Sequence, residues 1–299
     1  MNIYDDLTLI IVTYRSEALI VKNLAILKKF KVIIIDNSNS EKLQLIIKDY
    51  NNINLIRSSK NLGYGKAVNL GILQSNTYFV LTISPDILLN ESSIEILFTT
   101  FINNIDNIGL LGPSLYDANM KRRTNGTISY IKKLKGDKIF NSINNIPEGN
   151  ICCEYLVGCC YLIKRDFFNF IGGFDEDFFM YFEDNDLCDR ILQNNKLIME
   201  VPSSKFIHLE NSSSVKKKFT DIKLSIIHKI SSYIYLKKKT NFIFLTLKIF
   251  INFIDYLQRF IINLLFFNFK KSLKNLLRII SIILYLTLSY KFVYRFWKM

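Results

Sequence analysis

The first 210 residues alternate short β-branched runs with stretches of helical spacing, and no other property of the chain restricts its fold as much. LTLIIVTY (7–14), KVIII (31–35), NLIRS (54–58) and YFVLTIS (78–84) read as buried strands. EALIVKNLAILKK (17–29) reads as a helix, another opens near Gly65, and a further one runs from about Glu91. Strands separated by helices form βαβ units with right-handed crossovers, so the expectation is an α/β class with a largely parallel sheet.

The remainder follows a different rule. There is no glycine after Gly173 and no proline after Pro202, and from about Ser214 the chain is rich in Lys, Phe, Ile and Leu at helical spacing. Without breakers such a segment forms long helices. Charge divides at the same place. Residues 1–210 carry 22 Lys+Arg against 24 Asp+Glu, whereas residues 211–299 carry 17 against 2, Asp221 and Asp255. The expected organisation is therefore a catalytic or binding domain over 1–213 and a basic helical region over 214–299. The +15 of the second part calls for an anionic partner, lipid or nucleic acid.

In an open α/β sheet, ligands bind beyond the carboxyl ends of the strands. Thr13 and Tyr14 lie after the first strand, Asp36 after the second, KNLGYGKAVNLGI (60–72) after the third, and SPD (84–86) after the fourth. Each has an ordinary reading as a strand end, a turn or loop punctuation. Each also has a chemical one. A glycine-rich helix entry containing Asn61, Gly63 and Lys66 suits an anion, and Asp86 could be a metal ligand. A pyrimidine, a ribose and a diphosphate with its cation would need about this set on one edge. FMYFEDNDLCDR (179–190) then packs Glu183, Asp184, Asp186 and Asp189 behind three aromatics. Leu187, Cys188, Ile191 and Leu192 make an apolar stripe there, and Asp186 and Arg190 are four apart, a spacing that predicts a surface pair.

The five cysteines, Cys152, Cys153, Cys159, Cys160 and Cys188, lack zinc-site spacing, and their odd number argues against a secreted disulfide framework. They read as small apolar fillers in a reducing cytoplasm. The start shows no basic, apolar leader.

IIVTYRS, VIIIDNSNS, NLGYGKAVNLGI, LTISPDILL, IGLLGPSL, EYLVGCCYLIKR, IGGFDEDFFMYFEDNDLCDRI and FIHLENSSS occur in that order from residue 9 to about 214. In this series the chain resembles a family-2 glycosyltransferase of the GT-A fold, and within it the bacterial rhamnosyltransferase-like branch. The resemblance implies that Thr13, Tyr14, Asp36, Asn61, Gly63, Lys66 and Asp86 meet a nucleotide-sugar, with Asp36 on the pyrimidine. It implies that Asp86 and His208 hold Mg2+ or Mn2+, that Asp184 is the general base, and that Glu183 is its neighbour or an acceptor contact. Ser84 stands where the family keeps Asp or Asn, which leaves a weaker metal site or a non-catalytic member as alternatives. Gly172 and Gly173 would let the backbone approach the sugar, the aromatics would wall its pocket, and the uneven stretch 117–150, with Lys121, Arg122 and Arg123, would shape the acceptor site.

The resemblance implies an inverting transfer from dTDP-L-rhamnose, with a UDP-hexose as the rival donor, to a glycan or lipid-linked glycan of the cell surface. The longest uncharged run of the tail, IISIILYLTLSY (279–290), is 12 residues, and a spanning helix needs about 20. Amphipathic helices lying on the inner face of the cell membrane fit better, with Lys216 to Lys218, Lys237 to Lys239 and Lys270, Lys271 and Lys274 at headgroups and Phe, Ile, Leu and Trp297 among acyl chains. A packed helical subdomain or a homodimer interface suits the same pattern. Nucleic acid does not, because the tail is too aliphatic.

Overall fold

The computed structural model describes residues 1–123, 125–127, 130, 132, 149–209 and 218–287. The expectations for Trp297, for Lys216 and Lys217, and for most of the stretch beyond Arg123 up to Gly149 lie outside the described residues. By packing, the chain divides into two compact units: Met1–Asp175 with Asp184–Val215, and Glu176–Glu183 with Lys216–Met299.

The first unit is built on a ten-stranded sheet. Its strands are β1 (Leu7–Thr13), β2 (Lys31–Asp36), β3 (Ile53–Arg57), β4 (Phe79–Ile83), β5 (Ile87–Leu88), β6 (Ile108–Tyr116), β7 (Arg122–Arg123), β9 (Ile151–Cys153), β11 (Cys160–Lys164) and β12 (Leu197–His208); β8 (Gly126–Thr127) and β10 (Tyr155–Leu156) pair separately. The helices are α1 (Ile3–Asp6), α2 (Glu17–Leu27), α3 (Glu41–Ile47), α4 (Tyr64–Leu73), α5 (Glu91–Ile102), α6 (Arg165–Phe170) and α7 (Glu183–Gln193). The main order is β3-β2-β1-β4-β11-β6-β12-β5.

The β3-β2-β1-β4 half is all parallel, as the βαβ alternation predicts. The other half is mixed: β11 runs antiparallel to β4 and β6, and β5 antiparallel to β12, while β12 and β6 are parallel. Two helix-covered cores enclose the sheet. Leu7, Leu9 and Ile11 of β1 face one, and Ile10 and Val12 the other. This is the period-2 alternation of a strand buried on both faces. Helix α4 lies so close that a Cβ on Gly71 would meet Ile35 Cδ1 at 2.5 Å and Ile10 Cγ2 at 2.7 Å.

The second unit is helical: α8 (Lys218–Lys239), α9 (Phe242–Leu265) and α10 (Phe269–Thr287). The Asn241 side chain caps α9, accepting from the Phe244 N–H at 2.8 Å. Inside the unit Tyr233 and Tyr285 rings lie 5.3 Å apart, and Lys229 Nζ sits 5.2 Å from the Tyr233 and Tyr256 rings. Among the described residues no helix is long and apolar enough to cross a membrane.

Candidate active site

The parallel half delivers Thr13, Asp36 and the 58–63 loop to one edge. The Asn37 N–H donates to the Thr13 carbonyl at 2.9 Å, and the Ser58 N–H to the Asp36 carbonyl at 2.9 Å. Asn37 is buried and ties this edge together: its amide donates to the Gly63 carbonyl at 3.1 Å and its carbonyl oxygen accepts from the Leu62 N–H. Its sequence context marks Asn37 only as a turn residue. Asn61 accepts from the Gly63 N–H at 3.0 Å, and Gly63, at φ 84°, is the N-cap of α4, whose first turn carries Lys66. Tyr14 is 39% exposed, under the Arg15 guanidinium. The buried Thr13 hydroxyl has no hydrogen-bond partner among the described residues.

Asp36, which the resemblance sets on the pyrimidine, is the last residue of β2. It has no exposed surface, and its carboxylate accepts from the Ser38 N–H and hydroxyl at 2.8 and 2.6 Å and from the Ser40 N–H. In this structure the carboxylate organises the turn at the edge.

SPD forms the turn its proline suggests, with the Ile87 N–H donating to the Ser84 carbonyl at 3.1 Å. The short β5 that follows pairs with β12 so that Ile87 stands opposite His208. That pairing brings His208 Nε2 within 3.4 Å of Asp86 Oδ1 although the two residues are 122 positions apart. Both side chains are largely buried. Among the described residues no three His, Cys, Asp or Glu side chains cluster to hold a metal. One carboxylate and one imidazole nevertheless fit a divalent cation that takes its other ligands from phosphate and water.

Asp184 opens α7 beside Glu183. Its Oδ2 accepts from the Tyr155 hydroxyl at 2.7 Å and the Gly158 N–H at 3.2 Å, and its Oδ1 from the Asn185 N–H and side-chain amide at 2.8 and 3.1 Å. A Cβ on Gly158 would meet this carboxylate at 3.0 Å, so the small residue there makes room for Asp184. The next residue links the two acidic positions: the Cys159 carbonyl accepts from the Ser84 N–H at 2.7 Å, two residues before Asp86.

Residues 8–170, just over half of the chain, match glycosyl transferase family 2. The chain belongs to this family. Residues 145–215 also match a family described as the N-terminal domain of galactosyltransferase. Among curated proteins, the low-salt glycan biosynthesis hexosyltransferase Agl10 of Haloferax volcanii is 31% identical over 208 residues, covering 64% of this chain and 63% of the relative. The chain thus spans less than two thirds of that protein. The N-acetylglucosaminyl-diphospho-decaprenol L-rhamnosyltransferase of Mycobacterium tuberculosis is 26% identical over 245 residues, 72% of this chain and 76% of the relative. The fold is shared with a Pyrobaculum calidifontis mannosyltransferase solved with GDP-Man and Mn2+, at TM-score 0.54 and 13% identity over 78% of this chain and 64% of that one. It is the α/β GT-A fold with a helical C-terminal extension.

Several expectations for this family 2 chain change in three dimensions. Asp186 and Arg190 do pair, at 2.8 Å, but Asp186 is 4% exposed and Arg190 also donates to the Ile171 carbonyl, so the pair locks α7 inside the unit instead of decorating its surface. Glu183 is buried as well. Gly172 and Gly173, at φ 86° and 64°, end α6, their N–H groups donating to the Asn169 and Phe168 carbonyls. A Cβ on Gly173 would strike Asn69 Oδ1 at 2.8 Å; the adjacent Phe174 exchanges two 2.8 Å hydrogen bonds with the Asn69 amide. Gly173 is thus required by close packing, whereas a Cβ on Gly172 would meet nothing within 4 Å and only its positive φ calls for glycine.

Arg122, expected to shape an acceptor site, is 8% exposed and pairs with buried Glu200 at 2.6 Å. Glu200 also accepts from the Ser114 hydroxyl and the Gly126 N–H. Of the aromatics before α7, expected to wall a sugar pocket, Tyr181 is partly exposed and the phenylalanines are not. Phe178, Phe179 and Phe182 are buried, and within the helical unit Phe182 packs on His228 and Tyr235. Burial pushes the Cys160 and Cys188 thiols well up and Cys153 to about 12, so these three behave as inert fillers, whereas Cys152 is exposed.

Proposed function

We propose that the protein is an inverting, divalent-metal-dependent glycosyltransferase. It moves a sugar, foremost L-rhamnose from dTDP-L-rhamnose, onto a lipid-linked or polysaccharide acceptor in surface-glycan synthesis. The observation that carries the reading is the link through Gly158 and Cys159, which ties Asp184 to the Ser84–Asp86 turn and its His208 partner. A base and a cation-binding pair are the two devices that such a transfer needs. Rhamnose is favoured by the Mycobacterium relative; the Haloferax hexosyltransferase supports a UDP-hexose as second candidate.

Thr13, Tyr14, Asn61, Gly63 and Lys66 receive the nucleotide-sugar, with the Thr13 hydroxyl available to a ligand, and Asp36 acts on the base end through the turn it organises. Asp86 and His208 would hold Mg2+ or Mn2+, which when bound would neutralise charge on the departing diphosphate. Asp184 takes the acceptor hydroxyl's proton as that oxygen attacks the anomeric carbon opposite the leaving group, and Glu183 contacts the acceptor. A carboxylate has about four lone-pair sites, and Asp184 already accepts four hydrogen bonds. One donor must turn away before the proton arrives. The Tyr155 hydroxyl can rotate, unlike the Gly158 N–H.

The helical unit attaches the enzyme to the cytoplasmic face of a membrane. Phe242, Phe266, Phe267 and Phe269 are 80%, 78%, 79% and 63% exposed, and Lys270, Lys271 and Lys274 follow directly. Apolar rings flanked by lysines match the acyl and anionic headgroup layers of a lipid surface.

The test is donor turnover by the full chain in mild detergent, with dTDP-L-rhamnose and UDP- and GDP-sugars under Mg2+, Mn2+ or EDTA. One donor should turn over only with metal, and Asp184→Asn should lower kcat by about 10²–10⁴-fold. Binding of none of these donors would overturn the reading.

A further inference from the structure

Glu176–Glu183 packs with the C-terminal helices, although the sequence on either side of it belongs to the sheet unit. This loop contains Tyr181 and Phe182, consecutive non-glycine residues both at φ 68°. Such conformations cost on the order of 1–3 kcal/mol each and persist only where the surroundings impose them.

Helix α8 packs against this loop. The Ser231 hydroxyl donates to the Met180 carbonyl at 2.8 Å. The His228 ring lies 5.1 Å from Tyr181 and 5.3 Å from Phe182, and the Tyr235 ring 5.6 Å from Phe182. Lys238 pairs with Asp177 at 3.3 Å and sits 5.2 Å from the Phe178 ring. Residues 228, 231, 235 and 238 follow one another at intervals of three, four and three, so they form one stripe along one face of α8. Four side chains of a single helix thereby hold the loop from Asp177 to Phe182. Glu183 comes next, in the same unit, and Asp184 follows it in the chain.

We propose that this stripe of α8 is a positioning device for sugar transfer. It holds Tyr181 and Phe182 in the left-handed region and so sets the backbone that leads into Glu183. The helical region thus takes part in turnover as well as attachment. The inference rests on the assignment of Glu183 and Asp184 to the transfer step. Ser231, His228, Tyr235 and Lys238 are positioning residues that act through the loop.

The experiment compares kcat, donor KM, nucleotide Kd and Tm for the full chain in detergent, using the donor that turns over. The variants are Ser231→Ala/His228→Ala, Lys238→Met and the conservative His228→Phe, with Asp184→Asn alongside. Misplacing a catalytic group by about 1 Å costs on the order of 10²-fold, so the double variant should lose about 10- to 100-fold in kcat while nucleotide Kd and Tm hold. Lys238→Met should lose kcat in the same selective way, and His228→Phe, which keeps a ring against Phe182, should retain it. Unchanged kcat in the double variant and in Lys238→Met, with Asp184→Asn inactive, would overturn the positioning role and leave the base assignment intact. A parallel loss of kcat, nucleotide affinity and Tm would also overturn it, because the stripe would then be ordinary packing. Full activity in Asp184→Asn would remove the base assignment and this inference with it.

Discussion

The sheet unit and the helical unit are both rich in aliphatic and aromatic residues, and they use them in opposite directions. All seven residues of β1 and all five of β4 are buried. Helix α9, with 24 residues, buries only Leu245, Ile249 and Tyr256, and exposes Ile243, Leu247, Phe250, Ile251, Ile261, Ile262 and Leu265. Burying a large apolar side chain is worth roughly 1.5–3 kcal/mol, so a helix that leaves so many uncovered is suited to an external apolar phase. Polar groups show the reverse. The sheet unit encloses Asp36, Asp86, Asp186 and Glu200, all 5% exposed or less, each with a bonded partner. Burying hydrogen-bonded carboxylates fits a unit that organises charge, and exposing hydrophobes fits one that attaches.

That contrast can be broken by substitutions expected to affect one unit alone. The largest effect should come from Asp86→Asn, which removes the charge beside His208 at nearly constant volume. Turnover should fall by about a thousandfold, given the several kcal/mol a catalytic cation supplies, and raising Mn2+ should partly restore it while vesicle binding stays unchanged. Next is Arg122→Met, which strands Glu200 without its cation. It should cost about 3–5 kcal/mol, read as a lower unfolding midpoint in denaturant.

Phe266→Ser/Phe267→Ser should weaken co-sedimentation with vesicles containing anionic lipid by about a hundredfold, from the burial value of two rings, and leave donor turnover in detergent intact. If detergent turnover fell equally, the two units would not divide these tasks. The smallest effect concerns Lys229, which burial, helped by the Arg278 charge, pushes down to about 8 from 10.5. Between those values the unfolded chain holds the proton that the folded chain releases, so stability rises with pH across the window, and the full penalty applies below 8. Lys229→Met should raise Tm at pH 7, and the gap from wild type should narrow by pH 10.

Much of this architecture is legible in the amino-acid sequence. The four parallel strands, the helix at Tyr64, the turn at Ser84 and the long helical character of the C-terminal region, though not the number of its helices, follow from periodicity and breakers. These depend on residues within a few positions of one another. Family motifs point to Asp86, His208 and Asp184. Tyr155 is not legible, because a lone tyrosine in EYLVGCC carries no signal of a partner 29 residues away. Arg122 looks like a basic surface residue because Glu200 lies 78 positions distant. The aromatics of FFMYF give no hint that their neighbours are His228 and Tyr235.

The sequence by itself determined the α/β alternation, the charge division near residue 210, the family and the identity of the acids. The first two are set by composition and short-range spacing, and the last two by the resemblance of the motif series to a known family. Only the tertiary structure decided which acids are paired, which glycines make room for which carboxylate, and that the 176–183 loop rests on α8. Those outcomes depend on contacts between residues far apart in the chain. There, burial requires every charge to find a partner and every ring a packing surface, and local spacing does not encode which ones they find.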